Sequence, residues 1–307
     1  MTVHGHVSAV PVDQPVESVP LPPGIGRRPS PPGAFVGRVA ELARLDAAAA
    51  GRGAVVAVHG PGGVGKSALV ARFAGLRADR FAPVWWITAD SAGALRSGLA
   101  EFALALTPRV AGLGPAQRAE SGVRWLASHD GWLLVLDDVT DPAHAALLSD
   151  PVRTGTVVVT SRVGGWRGTA TVAVDPLPRD EVVELLCRLL RQEWPEADLT
   201  GAAALCDELG GQPAAIDRAA AHLARHRLPP SAYLARLARF PGWTPAASSD
   251  SVPLLVARFH ASPDHEERCR IVWELARSGT TAAREALRSL TPRHAIEQLT
   301  IREALEF

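Results

Sequence analysis

One stretch of the sequence combines glycines, a lysine and a serine at the spacing that can hold a phosphate group. Residues 60–67 read GPGGVGKS and directly follow the apolar run AVVAVH at 54–59. Glycines let backbone N–H groups approach phosphate oxygens, and a helix that begins near Lys66 points its positive end at the same anion. The Lys66 ammonium can reach the β- and γ-phosphates, and the Ser67 hydroxyl can bind Mg²⁺. The pattern predicts a nucleoside triphosphate site.

The lysine itself supports this interpretation. Lys66 is the only lysine among the 32 Lys and Arg residues of the chain. A compact charge on a flexible stem suits this position, whereas the planar fork of arginine fits it poorly. The alternative is a glycine-rich turn that matches by accident. The order of strand, loop and helix argues against it.

A second set of chemical groups follows two later apolar runs. Asp137 and Asp138 end the run WLLVL at 132–136, and Arg162 comes shortly after TVVVT at 156–160. Parallel strands deliver such groups to the carboxyl edge of a sheet, where ligands bind. We expect Asp137 to hold Mg²⁺ directly or through water, Asp138 to polarise the attacking water, and Arg162 to sense the γ-phosphate. The alternatives are that the two aspartates only begin a turn and that Arg162 is a surface residue paired with a carboxylate.

The elements that would position these groups predict an α/β fold. We expect the three-layer parallel sheet of a P-loop NTPase, then an all-α helical subdomain and a short helical tail. Besides the strands named above, strands are expected at 81–88 and 169–174, with a strand-like piece near 34–36. Helices are expected at 92–106, 115–128, 179–192, 198–209, 213–226 and 230–240, and three or four more in the tail. The predicted domain boundaries are a disordered Pro-rich arm at 1–33, the nucleotide-binding domain at 34–176, the helical subdomain at 177–240, a linker at 241–251 and the tail at 252–307.

Composition narrows the class of protein further. The 307 residues carry a formal net charge of zero, which offers no electrostatic footprint for direct nucleic acid binding. Three widely spaced cysteines favour reduced thiols over disulfides or a zinc site, and the ten histidines show no metal-ligand spacing. Neither a signal peptide nor a run long enough to cross a membrane is visible. We therefore expect a soluble, cytoplasmic protein.

Several motifs together resemble the NB-ARC branch of the STAND signal-transduction NTPases over about residues 34–240. Phe35–Arg38 resembles the N-terminal motif that helps to enclose adenine. LLVLDD at 133–138 resembles the Walker B strand of that family, and Thr160–Arg162 resembles its γ-phosphate sensor. LGGQPAAI at 209–216 is similar to the stretch whose proline packs on adenine. The resemblance implies ATP or ADP with Mg²⁺, held by Val36, Arg38, Gly60, Gly62, Gly63, Val64, Gly65, Lys66, Ser67, Ala68, Arg162 and Pro213. Ser67 and Asp137 would bind the metal. The residues that would act in hydrolysis are Lys66, Asp137, Asp138 and Arg162.

The sequence also departs from that family. Gln212 and Ala214 replace the usual leucines beside Pro213. The tail does not resemble the family's winged-helix domain, so the histidine that locks ADP cannot be assigned. No sensor repeat or effector signature is recognisable.

Four functions compete at this point. The first is a nucleotide-controlled switch with slow hydrolysis, which would govern self-association or the binding of a protein partner in signalling. An Asp-Asp pair without a glutamate base fits that reading. The others are a turning-over ATPase of the AAA type, the ATPase module of a transcriptional regulator, and a small-molecule kinase. The regulator lacks a DNA-binding candidate here, and the kinase lacks a visible lid and acceptor pocket.

Overall fold

The computed structural model describes residues 15–29, 32–143, 154–166, 168–237, 252–278 and 280–306. These residues divide into two units. The first contains the described residues of Met1–Pro32, Arg38–Gly62 and Lys66–Val174, and the second those of Gly33–Gly37, Gly63–Gly65 and Asp175–Phe307. The predicted linker at 241–251 lies outside the described residues, and the predicted domain boundaries stay predictions.

A five-stranded, all-parallel sheet forms the centre of the first unit. Its strands are β1 (Ala54–His59), β2 (Val84–Thr88), β3 (Leu133–Val139), β4 (Thr156–Ser161) and β5 (Ala170–Ala173), in the spatial order β2-β3-β4-β1-β5. The central strands are continuous apolar runs, as strands buried on both faces require. His59 of β1 and Val139 of β3 both pair with Ser161 of β4, so these three strands end at the same edge. The predicted fold class is confirmed.

The described residues of the same unit include four helices. They are α1 (Val39–Ala48), α2 (Lys66–Leu76), α3 (Ala92–Leu106) and α4 (Pro115–Ser128), with 3₁₀ turns at Val16–Ser18 and Pro108–Gly112. The Ser91 hydroxyl begins α3 by accepting the Ala94 N–H at 3.1 Å. Aromatic rings join α3 and α4 to the sheet, because Phe102 lies 5.2 Å from Trp85 and 5.5 Å from Trp125, measured between ring centres.

Within the segment 1–33, which was expected to be a disordered or semi-extended arm, residues 15–29 pack against this unit. Val16 and Val19 are buried in the apolar core that contains Trp125. The Trp125 indole N–H donates to the Val19 carbonyl at 2.8 Å. The Pro-rich composition disfavours long helices and strands, but two buried valines and one carbonyl that accepts from the indole are enough to dock this short segment.

The same segment reaches the edge strand of the sheet. The Arg27 N–H donates to the Val84 carbonyl of β2 at 2.9 Å, and the Arg27 guanidinium is ion-paired with Glu101 on α3. An uncovered edge strand would expose N–H and C=O groups to other chains. The arm therefore covers part of the β2 edge with a segment whose prolines cannot continue a sheet.

The described residues of the second unit are helical and contain no strand. The helices are α5 (Arg179–Glu193), α6 (Ala202–Glu208), α7 (Pro213–His226), α8 (Pro230–Leu237), α9 (Val252–Ala261), α10 (His265–Ser278), α11 (Thr281–Ser289) and α12 (Ala295–Glu306). Their buried faces share one apolar core, which includes Leu186, Ile216, Leu223, Phe259 and Leu275. The last four are the tail helices. Over the described residues, no helix is long and apolar enough to cross a membrane.

A buried ion pair ties three of the tail helices together. Arg268 on α10 and Glu297 on α12 have side chains that are 1% and 0% exposed, with Nε 3.1 Å from Oε1. The Arg268 guanidinium also donates to the Phe259 carbonyl on α9 at 2.7 Å and to the Thr291 carbonyl at 2.9 Å. The other Glu297 oxygen, Oε2, accepts the Arg293 N–H at 2.7 Å. Both charges are thus neutralised inside the protein.

Some predicted elements differ from the observed ones. The strand expected at 81–88 begins only at Val84, because Pro83 has no N–H to give to a neighbouring strand. The helix expected at 198–209 spans only Ala202–Glu208, after Gly201 in a left-handed conformation. The strand-like piece near 34–36 forms no strand. The fourth helix of the subdomain is described only to Leu237.

Candidate nucleotide-binding site

The glycine-rich loop lies between the end of β1 and the start of α2, as its sequence predicted. Gly60 is required there, because a Cβ atom on it would lie 2.2 Å from the Val174 carbonyl oxygen. Helix α2 begins at Lys66, so its first N–H groups point towards the loop. Such an N-terminus favours an anion.

Lys66 folds back over the loop that precedes it. Its side chain is nearly buried, and Nζ donates to the Gly60 carbonyl at 2.9 Å and to the Pro61 carbonyl at 2.8 Å. Burial lowers the pKa of the Lys66 ammonium, and the positive charge of Arg162 lowers it further. The negative charges of Asp137 and Asp138 stabilise this ammonium only weakly. A phosphate bound beside the loop would pair with it directly.

The two residues predicted to hold Mg²⁺ lie in direct contact. Ser67 at the start of α2 donates its hydroxyl to Asp137 Oδ1 at the end of β3, over 2.7 Å. Hard oxygen donors of this kind suit Mg²⁺, which takes one or two carboxylates and completes its shell with water and phosphate oxygens. Over the described part of the chain, no cluster of three or more His, Cys, Asp or Glu residues could hold a metal. The residues fit a metal that arrives with its nucleotide.

A β-bulge separates the directions of the two aspartates. Leu136 pairs with Val159 of β4 and Val139 with Ser161, so Asp137 and Asp138 together stand opposite the single residue Thr160. Asp138 is the extra residue of the bulge, and its backbone is left-handed, with φ of +60°. The Thr160 hydroxyl donates to Asp137 Oδ1 at 2.6 Å and accepts the Asp138 N–H at 2.9 Å.

The sequence predicts a role for Thr160 only as part of the motif Thr160–Arg162. It does not predict the contact of this residue with both aspartates. A hydroxyl residue that ends the strand next to the acidic strand was the available signal.

Arg162 lies beside both the acidic pair and the loop. Its Nε is 3.6 Å from Asp138 Oδ1, and both side chains are about half exposed. A Cβ atom on Gly62 would lie 3.5 Å from Arg162 Nη1, so the guanidinium passes close to the first half of the loop. The surface pairing that was the alternative for Arg162 is therefore present, and its role as a sensor of the γ-phosphate stays a prediction.

The structure brings Gly60, Gly62, Lys66, Ser67, Asp137, Asp138 and Arg162 together within the first unit. Ala68 follows on α2 and is half buried. Arg38 belongs to the same unit, where it begins α1 with a left-handed backbone and forms a 2.7 Å ion pair with Glu41. Burial raises the pKa of the Glu41 carboxyl, but the bond from Arg38, a backbone hydrogen bond and the charges of Arg38 and Arg44 together outweigh it, so the pKa lies below its usual value.

The remaining predicted residues are part of the second unit. Val36 is buried in its apolar core, and Pro213 is the first residue of α7. Gly63, Val64 and Gly65 also group with this unit. Within this unit, the Gly63 carbonyl accepts the Ala214 N–H at 3.2 Å.

Comparison with known proteins places this geometry in a class. The sequence matches no protein-family model and no curated protein sequence. Among solved structures, a Walker-type ATPase of Pyrococcus abyssi is similar at 15% identity with a TM-score of 0.51, covering 91% of each chain. Thermotoga maritima RuvB, a Holliday junction branch migration motor, scores 0.47 at 13% identity over 77% of this chain and 82% of its own. AMPPCP-bound DnaA from Aquifex aeolicus scores 0.46 at 15% identity over 89% and 90%.

The sheet order, the loop and the first of these similarities define the chain as having the P-loop NTPase fold. At this identity the likeness concerns the fold alone.

Proposed function

We propose that the chain binds ATP and ADP with Mg²⁺ and acts as a nucleotide-controlled switch that hydrolyses ATP slowly. The observation that carries the proposal is the contact of Ser67 with Asp137, which joins the phosphate loop to the end of β3. In this proposal the backbone of residues 60–65 and Lys66 hold the phosphates, and Ser67 and Asp137 hold the metal. The metal would neutralise phosphate charge when bound.

Slow turnover follows from the environment of Asp138. In this proposal its carboxylate polarises the attacking water, but it is on a short side chain and pairs with Arg162, which weakens it as a base. An exposed pair at this distance is weak, worth about 0–1 kcal/mol, so a γ-phosphate could recruit Arg162 from it. The nucleotide state would then change which partner Arg162 has. That is a difference in contacts between the ATP and ADP states, as a switch requires.

The NB-ARC resemblance supplies the finer part of the proposal. In it, Val36, Arg38 and Pro213 contact the adenine, and the ATP state favours self-association or a protein partner. The cytoplasmic location and the exclusion of nucleic acid as a direct partner stay predictions.

The first test is the nucleotide released when freshly purified protein is denatured, measured by chromatography. Near-stoichiometric ADP supports a switch that retains its product, whereas rapid steady-state turnover that rises steeply with protein concentration would replace it with an AAA-type ATPase. Light scattering with ADP and with a non-hydrolysable ATP analogue then measures self-association. DNA binding that weakens with salt would contradict the expectation about nucleic acid.

A matched pair of variants tests the assigned loop. Lys66→Ala should lower ATP affinity by about a hundredfold or more, because charge-assisted bonds to phosphate are lost. Arg96→Ala removes one positive charge from an exposed position on α3 and should leave affinity unchanged. Equal ATP affinity in the two variants would refute the site.

A further inference from the structure

Thr160 is the point at which the two aspartates of the site are joined. Its side chain is nearly inaccessible, and its single hydroxyl donates to Asp137 Oδ1 at 2.6 Å while it accepts the Asp138 N–H at 2.9 Å. The hydroxyl proton is thus bonded to the Asp137 carboxylate, and a lone pair of the same oxygen accepts the backbone N–H of Asp138. A valine of the same shape would fill the space but make neither bond.

The bulge explains why these bonds are needed. An extra residue in β3 leaves one N–H without a place in the ladder to β4, and that N–H belongs to Asp138. Asp138 also adopts a left-handed backbone, which aspartate tolerates better than most residues other than glycine but still less readily than the extended form. The Thr160 hydroxyl replaces the missing ladder acceptor. It therefore stabilises the conformation that sends the two carboxylates in different directions.

The direction of Asp137 is fixed in the same way. Its Oδ1 atom accepts hydroxyl protons from both Thr160 and Ser67, at 2.6 and 2.7 Å. Two donors from different elements, β4 and α2, limit rotation of the carboxylate more than either could alone. With Thr160 removed, only the exposed Ser67 would orient it.

We propose that Thr160 is a positioning residue that sets the carboxylate of Asp137 for Mg²⁺ and holds the bulge at Asp138, without itself touching the nucleotide. The inference rests on the proposed function. The competing explanation is that Thr160 is a buried β-branched residue whose hydroxyl is incidental. The two explanations differ in what Thr160→Val does to the metal dependence of nucleotide binding.

The experiment is calorimetric titration of the full chain with ADP, once with Mg²⁺ and once with EDTA. The quantity compared is the ratio of the two dissociation constants. In Thr160→Val the enhancement by Mg²⁺ should fall about tenfold or more, since bonds to a charged group are lost, while the affinity in EDTA changes little. Thr160→Ser keeps the hydroxyl and should retain most of the enhancement. Thr156→Val, the same substitution at the opposite end of β4, should behave as the wild type.

Each outcome separates the two proposals. A wild type that binds no ADP overturns the proposed function. A Thr160→Val variant with normal enhancement, or a Thr160→Ser variant that loses as much, overturns the role of Thr160 and leaves the proposed function standing. An equal loss of affinity with Mg²⁺ and with EDTA also overturns it. Should Thr160→Val not fold, Thr160→Ala and Thr160→Ser give the same comparison.

Discussion

Replacing Glu297 by alanine leaves the guanidinium of Arg268 buried without the carboxylate to which it is bonded. Arginine side chains in proteins do not lose their proton, so Arg268 cannot become neutral to avoid this. The Phe259 and Thr291 carbonyls would still accept two of its N–H groups, but neither carries a negative charge. The variant therefore places an uncompensated cation in the core of the tail helices.

The size of the effect follows from this burial. Removing one partner of a fully buried pair costs about 3–5 kcal/mol, far more than the same change at the surface. At 1.36 kcal/mol per tenfold change, local opening of α10 and α12 should increase by roughly two to nearly four orders of magnitude. Removing both charges in the double variant Arg268→Met, Glu297→Leu should recover most of the loss, because no charge then remains unpaired.

Amide hydrogen exchange read by mass spectrometry is the suitable assay, since it follows peptides of α10 and α12 separately from the rest of the chain. Glu303→Ala, at an exposed position on the same helix, is the control and should exchange as the wild type does. The reasoning fails if Glu297→Ala changes the opening free energy by less than about 1 kcal/mol. It fails equally if the double variant opens as readily as the single one.

Three other changes have defined outcomes. Burial raises the pKa of Glu297, but the Arg293 N–H and the charge of Arg268 hold it below its usual value, so the contribution to stability is complete above about pH 4.3 and declines as the pH falls. Acid titration of the helical circular dichroism should show this decline in the wild type and lose it in Glu297→Gln. Gly60→Ala should weaken ADP binding by about tenfold or more, because its Cβ would meet a carbonyl at 2.2 Å; unchanged calorimetric affinity would contradict this. Trp125→Phe removes the donor to the arm, a bond worth about 1 kcal/mol, and should speed tryptic cleavage after Arg27 about fivefold; equal rates would argue against the docking.

Much of the site was predictable because it depends on local order. A strand, a glycine-rich loop and a helix in sequence place Lys66 and Ser67 at the carboxyl edge of a parallel sheet. An apolar run that ends in two aspartates must deliver them to that same edge. The contact of Ser67 with Asp137, 70 residues away, follows from these two facts.

Other parts of the structure depend on how strands pair and how helices pack, which the identity of single residues does not reveal. The bulge requires that β3 carry one residue more than β4 between paired positions, and neither LLVLDDV nor TVVVTS shows where the extra residue falls. The contact of Thr160 with two aspartates was hidden for that reason. Arg268 likewise belongs to an ordinary amphipathic pattern, and its burial becomes visible only when three helices meet around it.

The docked arm imposes an order on folding of the chain. Residues 15–29 leave the ribosome before any of their contacts exist, because Val84, Glu101 and Trp125 are synthesised some 57 to 106 residues later. This segment is therefore among the last parts of the unit to find its place, after the sheet edge and α4 have formed. Until then the edge of β2 is uncovered. The prolines of residues 15–29 prevent this segment from pairing with β2 as a full additional strand.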